Sequence, residues 1–288
     1  MRLVAAAVAG TALLGCAGSF ADDWARARRR GEVVVLSDRE GFARVLVGPE
    51  RGGAVLTSTA GGAGGRSFGW LDEDLRPGED RPELGPEGPF LLVERDASRV
   101  RLRRSGDLEL ERTVRLLPPE DAWRAAGAVS RPNVRAVAYE TDTRVRSARG
   151  APFPPRLVVT GRFRALPGAW ALASTAGGPA VLQVGGDSPG GARAGGKAGV
   201  FDPGAGVLTV VRCGPRAGAS GEAVVRLAAG GGLEEPYVEI AGESAPERRG
   251  LRLVRQVLHF VGPEGELGAI LREALDVDPE ALPPGRAE

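Results

Sequence analysis

Histidine and cysteine are nearly missing from this 288-residue chain: His259 is the only imidazole, and Cys16 and Cys213 are the only thiols. Three such groups cannot provide the four soft ligands of an ordinary zinc or iron–sulfur site, so no metal and no cofactor is expected. A Ser-His-Asp nucleophilic set lacks a defensible histidine for the same reason. Aromatic residues make up 5% of the chain, which leaves few platforms for stacking on a ligand. Charge is balanced as well, with a formal net charge of +1. Polyanion binding scales with the number of phosphates neutralised, so no nucleic-acid partner is expected. Lys197 is the only lysine, against 37 arginines; Arg, Gly, Ala and Pro share GC-rich codons, and this bias carries no functional reading.

What is present is enough to fold. Hydrophobic residues are 42% of the chain, and the 44 Gly and 22 Pro fall just below the roughly 25–30% that marks low-complexity sequence. After Met1-Arg2, Leu3 to Leu14 forms a 12-residue uncharged apolar stretch. A membrane span needs about 20 residues, so this stretch reads as a secretory signal. The ending Leu13-Leu14-Gly15-Cys16 resembles the lipobox of bacterial lipoproteins, in which the thiol is acylated and the signal is cut just before it. On that reading residues 1–15 are a lipoprotein signal peptide, Cys16 is the lipidated N-terminus, and residues 16–31 are a tether and short helix. The partner is a membrane, reached through acyl chains that contribute about 0.8 kcal/mol per buried CH₂. Ala17 follows the cysteine, where an Asp would by resemblance to the sorting rule retain the protein at the inner membrane, so export to the outer membrane or periplasmic face is expected. The alternative is an ordinary cleaved signal with an incidental cysteine. Either way Cys213, inside the apolar run from Val207, has no disulfide partner and reads as a buried small hydrophobe.

Residues 32–288 read as one domain. Ser19-Phe20-Ala21-Asp22 has the spacing of a capping box and opens a helix stopped at Gly31; Pro118-Pro119-Glu120-Asp121 opens another, stopped by Gly127. Between Glu32 and Val261 the β-branched and apolar runs are bounded by Gly, Pro, Asp or Ser and are not separated by helices, which predicts largely antiparallel sheets. Among these runs are Phe42–Val47, Ala54–Thr59, Ser67–Leu71, Val134–Val145, Val207–Cys213 and Leu251–Val261. Residues 185–199, rich in glycine, read as a loop. A three-residue loop at Arg104-Ser105-Gly106 would pair Arg101 with Glu109 and Leu102 with Leu108, placing charges on one face and aliphatics on the other. Leu267, Ile270, Leu271, Ala274 and Leu275 recur at i, i+3, i+4, i+7 and i+8, predicting a C-terminal helix that caps a sheet edge or barrel end.

Seven stretches carry a resemblance: Phe20 to Asp38, Leu56 to Leu75, Gly78 to Gly88, Val134 to Val145, Val200 to Arg212, Pro236 to Ser244 and Leu258 to Val277. Together they resemble an uncharacterised family of secreted bacterial proteins and lipoproteins with a galactose mutarotase-like domain, of which this chain looks like a shortened, divergent member. The resemblance implies an all-β fold, a two-layer antiparallel β-supersandwich with short peripheral helices and the C-terminal capping helix. It also implies loops over a concave sheet that bind sugars. The chain departs from the family pattern after Glu79-Asp80-Arg81, where an aromatic-rich insertion is missing, and near the C-terminus, where Leu253 and Arg255 stand in place of histidines.

Trp70 and Tyr139 are the surviving candidates for a sugar platform. Arg66, Glu79, Asp80, Arg81 and Glu87 form the principal candidate binding cluster, since guanidinium and carboxylate groups present paired hydrogen bonds to hydroxyls; the competing reading is a buried network that ties loops together. Ring opening of an aldose needs a base and an acid, for which Glu239 and His259 are the tentative pair. Two carboxylates such as Glu79 and Glu239 would suffice for glycoside cleavage. Three readings follow: a lipid-anchored envelope protein that binds carbohydrate without turning it over, a sugar epimerase or glycan-cleaving enzyme, and a degenerate structural or interaction lipoprotein.

Overall fold

The computed structural model describes residues 18–69, 89–147, 157–175, 178–184, 191–214, 224–230, 237–244 and 250–283. The capping box at Ser19 and Asp22 is formed, and it starts α1 (Phe20–Arg28). A three-stranded sheet follows, in the order β1 (Val34–Ser37), β2 (Arg44–Gly48), β3 (Ala54–Thr59). A nine-stranded sheet runs β10 (Gly178–Gln183), β9 (Trp170–Thr175), β12 (Lys197–Asp202), β13 (Val207–Gly214), β16 (Leu251–Val261), β7 (Arg135–Ser147), β6 (Leu108–Leu117), β5 (Arg99–Arg104), β4 (Leu91–Arg95). A four-stranded sheet runs β11 (Gly191–Gly195), β14 (Val224–Gly230), β15 (Tyr237–Ser244), β8 (Leu157–Arg164). Every strand pair is antiparallel, as the uninterrupted succession of strands predicts.

The sheets form a sandwich because the nine-stranded sheet is apolar on both faces. Its inner face buries Val100, Leu110, Val114, Leu116, Val137, Val211, Leu253 and Val257 against Val34, Val45 and Val47 of the small sheet and against Val159, Phe163, Val238 and Ile240 of the four-stranded one. Its outer face buries Leu172, Leu208, Val210, Leu258 and Phe260 under α2 (Pro119–Ala126) and α3 (Glu264–Leu275). Gly127 ends α2 with φ +74°, a conformation that glycine adopts without a side-chain clash. The stripe Leu267, Ile270, Leu271, Ala274, Leu275 is buried as its spacing predicts, but α3 lies on β12 and β13, in the interior of the sheet, rather than capping an edge. The reason is the second apolar face, which leaves Phe260 and Leu208 to be covered.

Three local expectations are corrected. The β5–β6 pairing sets Arg101 opposite Thr113, Leu102 opposite Arg112 and Arg104 opposite Leu110, so each partner is four residues further on than a three-residue loop would place it. An even shift keeps every side chain on its face. Opposite charges still meet, on the diagonal, as Arg101–Glu111 and Arg103–Glu109, both 2.9 Å. The glycine-rich stretch 185–199 is not all loop: residues 191–195 are β11 and Lys197 begins β12, both held by backbone pairing with β14, β13 and β9. Of the strand expected over Ser67–Leu71, the described residues 67–69 form only an isolated bridge, Gly69 with Phe163, and residues 70–71 lie outside the described residues. Gly69 lies flush on β3, and a Cβ there would stand 2.1 Å from the Leu56 carbonyl oxygen.

Candidate functional site

Period-two burial would place an apolar residue at every inward position of β6, β7 and β16. Six inward positions instead carry polar groups: Arg112 on β6, Tyr139, Thr141 and Thr143 on β7, and Arg255 and His259 on β16. Sheet register brings them together, since Arg255 is paired with Thr141, Arg112 with Thr143, and His259 with Thr209 of β13. All are buried. All of the six but Thr143 line a small cleft of about 20 Å³, walled by residues 53–58 on one side and by Val159, Gly161 and Phe163 of β8 on the other. That volume holds one or two water-sized atoms.

Arg112 is fixed by hydrogen bonds from Nε to Thr143 Oγ1 (3.0 Å) and from Nη1 to the Gly52 carbonyl (2.8 Å), which anchors the turn before β3. Arg255 has 4% exposure and lies over the Phe163 ring, 5.6 Å from its centroid. Gly161 is required beneath it, because a Cβ there would stand 2.0 Å from Nη2. Nε and Nη2 of Arg255 are buried without a hydrogen-bond partner among the described residues. No carboxylate lines the cleft among the described residues.

His259 is sandwiched by rings, stacked on Phe68 at 4.6 Å and edge-on to Phe163 at 5.5 Å, and its Nδ1 shares a 2.8 Å hydrogen bond with Thr209 Oγ1. Burial, with the nearby Arg255 cation, pushes its pKa down to about 3. The imidazole is neutral near pH 7. Burial likewise pushes the Tyr139 phenol up to about 12 and the Cys213 thiol, paired across the sheet with Arg255, up to about 11.

Among the binding candidates, Tyr139 lines the cleft as a buried wall, so it offers no exposed platform. Arg66 does not line it: its Nη1 donates to the Ala205 carbonyl at 3.3 Å, clasping the β12–β13 turn, and burial lowers its pKa. Trp70, Glu79, Asp80, Arg81 and Glu87 lie outside the described residues, as does Cys16. Of the tentative catalytic pair, His259 lines the cleft, whereas Glu239 is described by its backbone alone, on β15 opposite Arg162 of β8 and between the buried Val238 and Ile240. Residue patterning did not single out Arg112, Thr141 or Arg255 as site residues, although a cation at an inward position of an otherwise alternating strand was a visible signal. No cluster of three or more metal-ligating side chains occurs among the described residues.

The model of a family of unknown function, DUF6786, matches residues 18–92. That region holds the first three of the seven stretches singled out in the sequence. No curated protein matches the chain. Among solved structures, the Slr1438 protein from Synechocystis sp. PCC 6803 is similar with a TM-score of 0.49 and 14% identity, covering 81% of this chain and 96% of its own. A putative aldose 1-epimerase from Escherichia coli K12 is similar with a TM-score of 0.48 and 10% identity, covering 80% of this chain and 99% of its own.

Proposed function

We propose that the protein is a lipid-anchored module of the cell envelope that binds a carbohydrate on the concave side of its sandwich and does not turn it over. The observation that carries the reading is the buried polar row on the inner sheet face, where Arg112, Thr141 and Arg255 interrupt an apolar surface beside a cleft. Buried polar groups cost free energy unless they are satisfied, and a protein with no ligand to meet would gain by filling those positions with aliphatics. The non-catalytic part rests on His259. A general acid works best with a pKa near the working pH, and an imidazole desolvated to about 3 is not an imidazolium near pH 7 and so is a poor general acid.

The test is a glycan library probed with the full chain, with polarimetry on free aldoses alongside. Retained ligands that are lost in Trp70→Ala or Arg81→Ala, together with mutarotation no faster than in buffer, are expected. A flat response across envelope glycans would remove the binding reading. Mutarotation or glycan cleavage abolished by Glu239→Gln would make the protein an enzyme instead.

A further inference from the structure

Resting on the carbohydrate reading above, we infer that the ligand is an acidic saccharide whose carboxylate enters the cleft and is held by Arg255. Buried ionised groups in folded proteins are paired or hydrogen-bonded, because desolvating an unpaired charge costs several kcal/mol. Arg255 breaks that rule within the described residues. Its guanidinium is buried, its Nε and Nη2 have no acceptor, and it points into a cleft lined by no described Asp or Glu. An aromatic face and a glycine fix its plane: Phe163 lies 5.6 Å from the guanidinium carbon, and Gly161 leaves room for Nη2 that any larger residue would take.

The shape of the space selects the anion. A guanidinium edge presents two parallel N–H donors, and the planar group that meets both is a carboxylate. The cleft is small, about 20 Å³, and the guanidinium edge is flat, which suits a planar two-oxygen group. Thr141 also lines the cleft, and its hydroxyl donates to the backbone carbonyl of Arg255 at 3.4 Å, which ties β7 to the strand that carries the guanidinium. His259 completes the wall as a neutral ring, so it offers neither attraction nor repulsion to the charge. The sugar ring then stays at the mouth, since the cleft accommodates its carboxylate and no more.

Calorimetry on the full chain tests this with five probes: sodium glucuronate, its uncharged methyl ester, glucose, sodium acetate and inorganic phosphate. Glucuronate is expected to bind at least about tenfold more tightly than its methyl ester, as follows from losing one charge-assisted hydrogen-bond pair, and more tightly than phosphate. Arg255→Gln is expected to remove that preference. Because the comparison of acid and ester needs no variant, it stands even if Arg255→Gln fails to fold. Equal binding of acid, ester and glucose would overturn the inference and leave the carbohydrate reading intact. Acetate binding as tightly as glucuronate would keep an anion site and overturn the saccharide. Phosphate binding more tightly than glucuronate would overturn the choice of carboxylate, and no binding by any probe would remove the carboxylate site.

Discussion

Acidification reaches His259 through the unfolded chain. An exposed histidine takes up a proton near pH 6.5, whereas the folded one resists protonation down to about 3. Its contribution to stability is therefore full above about pH 6.5 and is lost progressively as the pH falls toward 3. At pH 4.5, two units below the unfolded value, the loss amounts to about 3 kcal/mol. Urea denaturation at pH 7 and pH 4.5 should show this loss in the wild type and a correspondingly smaller one in His259→Gln. Equal losses in the two proteins would mean that the imbalance lies in other groups. The same residue marks what the sequence could and could not reveal. Its place between Leu258 and Phe260 in an apolar strand is a local signal, but the rings around it are Phe68 and Phe163, which are 191 and 96 positions earlier in the chain.

Elements were legible where a pattern is local. The capping box at Ser19, the left-handed stop at Gly127, the stripe of α3 and the strand bounds at Ala54–Thr59 and Leu251–Val261 all follow from residues within a few positions of one another. Strand register did not. The β5–β6 pairing satisfies the same face assignment at two alternatives four residues apart, and the choice is made by the sheet on either side of the pair rather than by the turn. Docking of α1 was equally hidden, because it depends on a charge inside the protein. Asp23 has no exposed surface and is held by Ser67 Oγ and by Arg164 Nη2 at 3.2 Å, while Arg164 Nε donates to the Gly69 carbonyl at 3.0 Å. Removing one partner of a buried pair strands the other. Asp23→Ala should lower unfolding stability by about 3 kcal/mol, measured by urea titration, and should expose Trp24 to a fluorescence quencher. A loss below about 1 kcal/mol would mean that Arg164 finds another acceptor or water.

At the scale of the whole molecule, antiparallel sheets were readable from the succession of strands and the two-layer sandwich from the resemblance, whereas of the candidate site only Tyr139 and His259 were. The principal binding cluster expected from the sequence runs from Arg66 to Glu87, whereas the polar cleft is assembled largely from strands β6, β7, β8 and β16, whose members are spread over more than 140 positions of sequence. No local window could have shown that Arg112 and Arg255 share a wall. The expected anchor makes its own prediction: palmitate fed to cells producing the chain should label it, and Cys16→Ser or globomycin should abolish labelling or processing. Unlabelled, normally processed protein would remove the tether.

The early docking of α1 would also set how far an acylated chain can reach. Ser19 is already fastened to Arg66, and Phe20 donates its amide to the Gly65 carbonyl. Three peptide units separate Cys16 from Ser19, and a fully extended chain covers about 3.5 Å per unit, so an acyl anchor at Cys16 would have a leash of at most roughly 11 Å. If Cys16 is acylated, a protein on so short a leash could not sweep the space above the bilayer for its ligand. It would wait against the bilayer, and whatever it recognises must be presented there, on the membrane or on polymer lying directly over it.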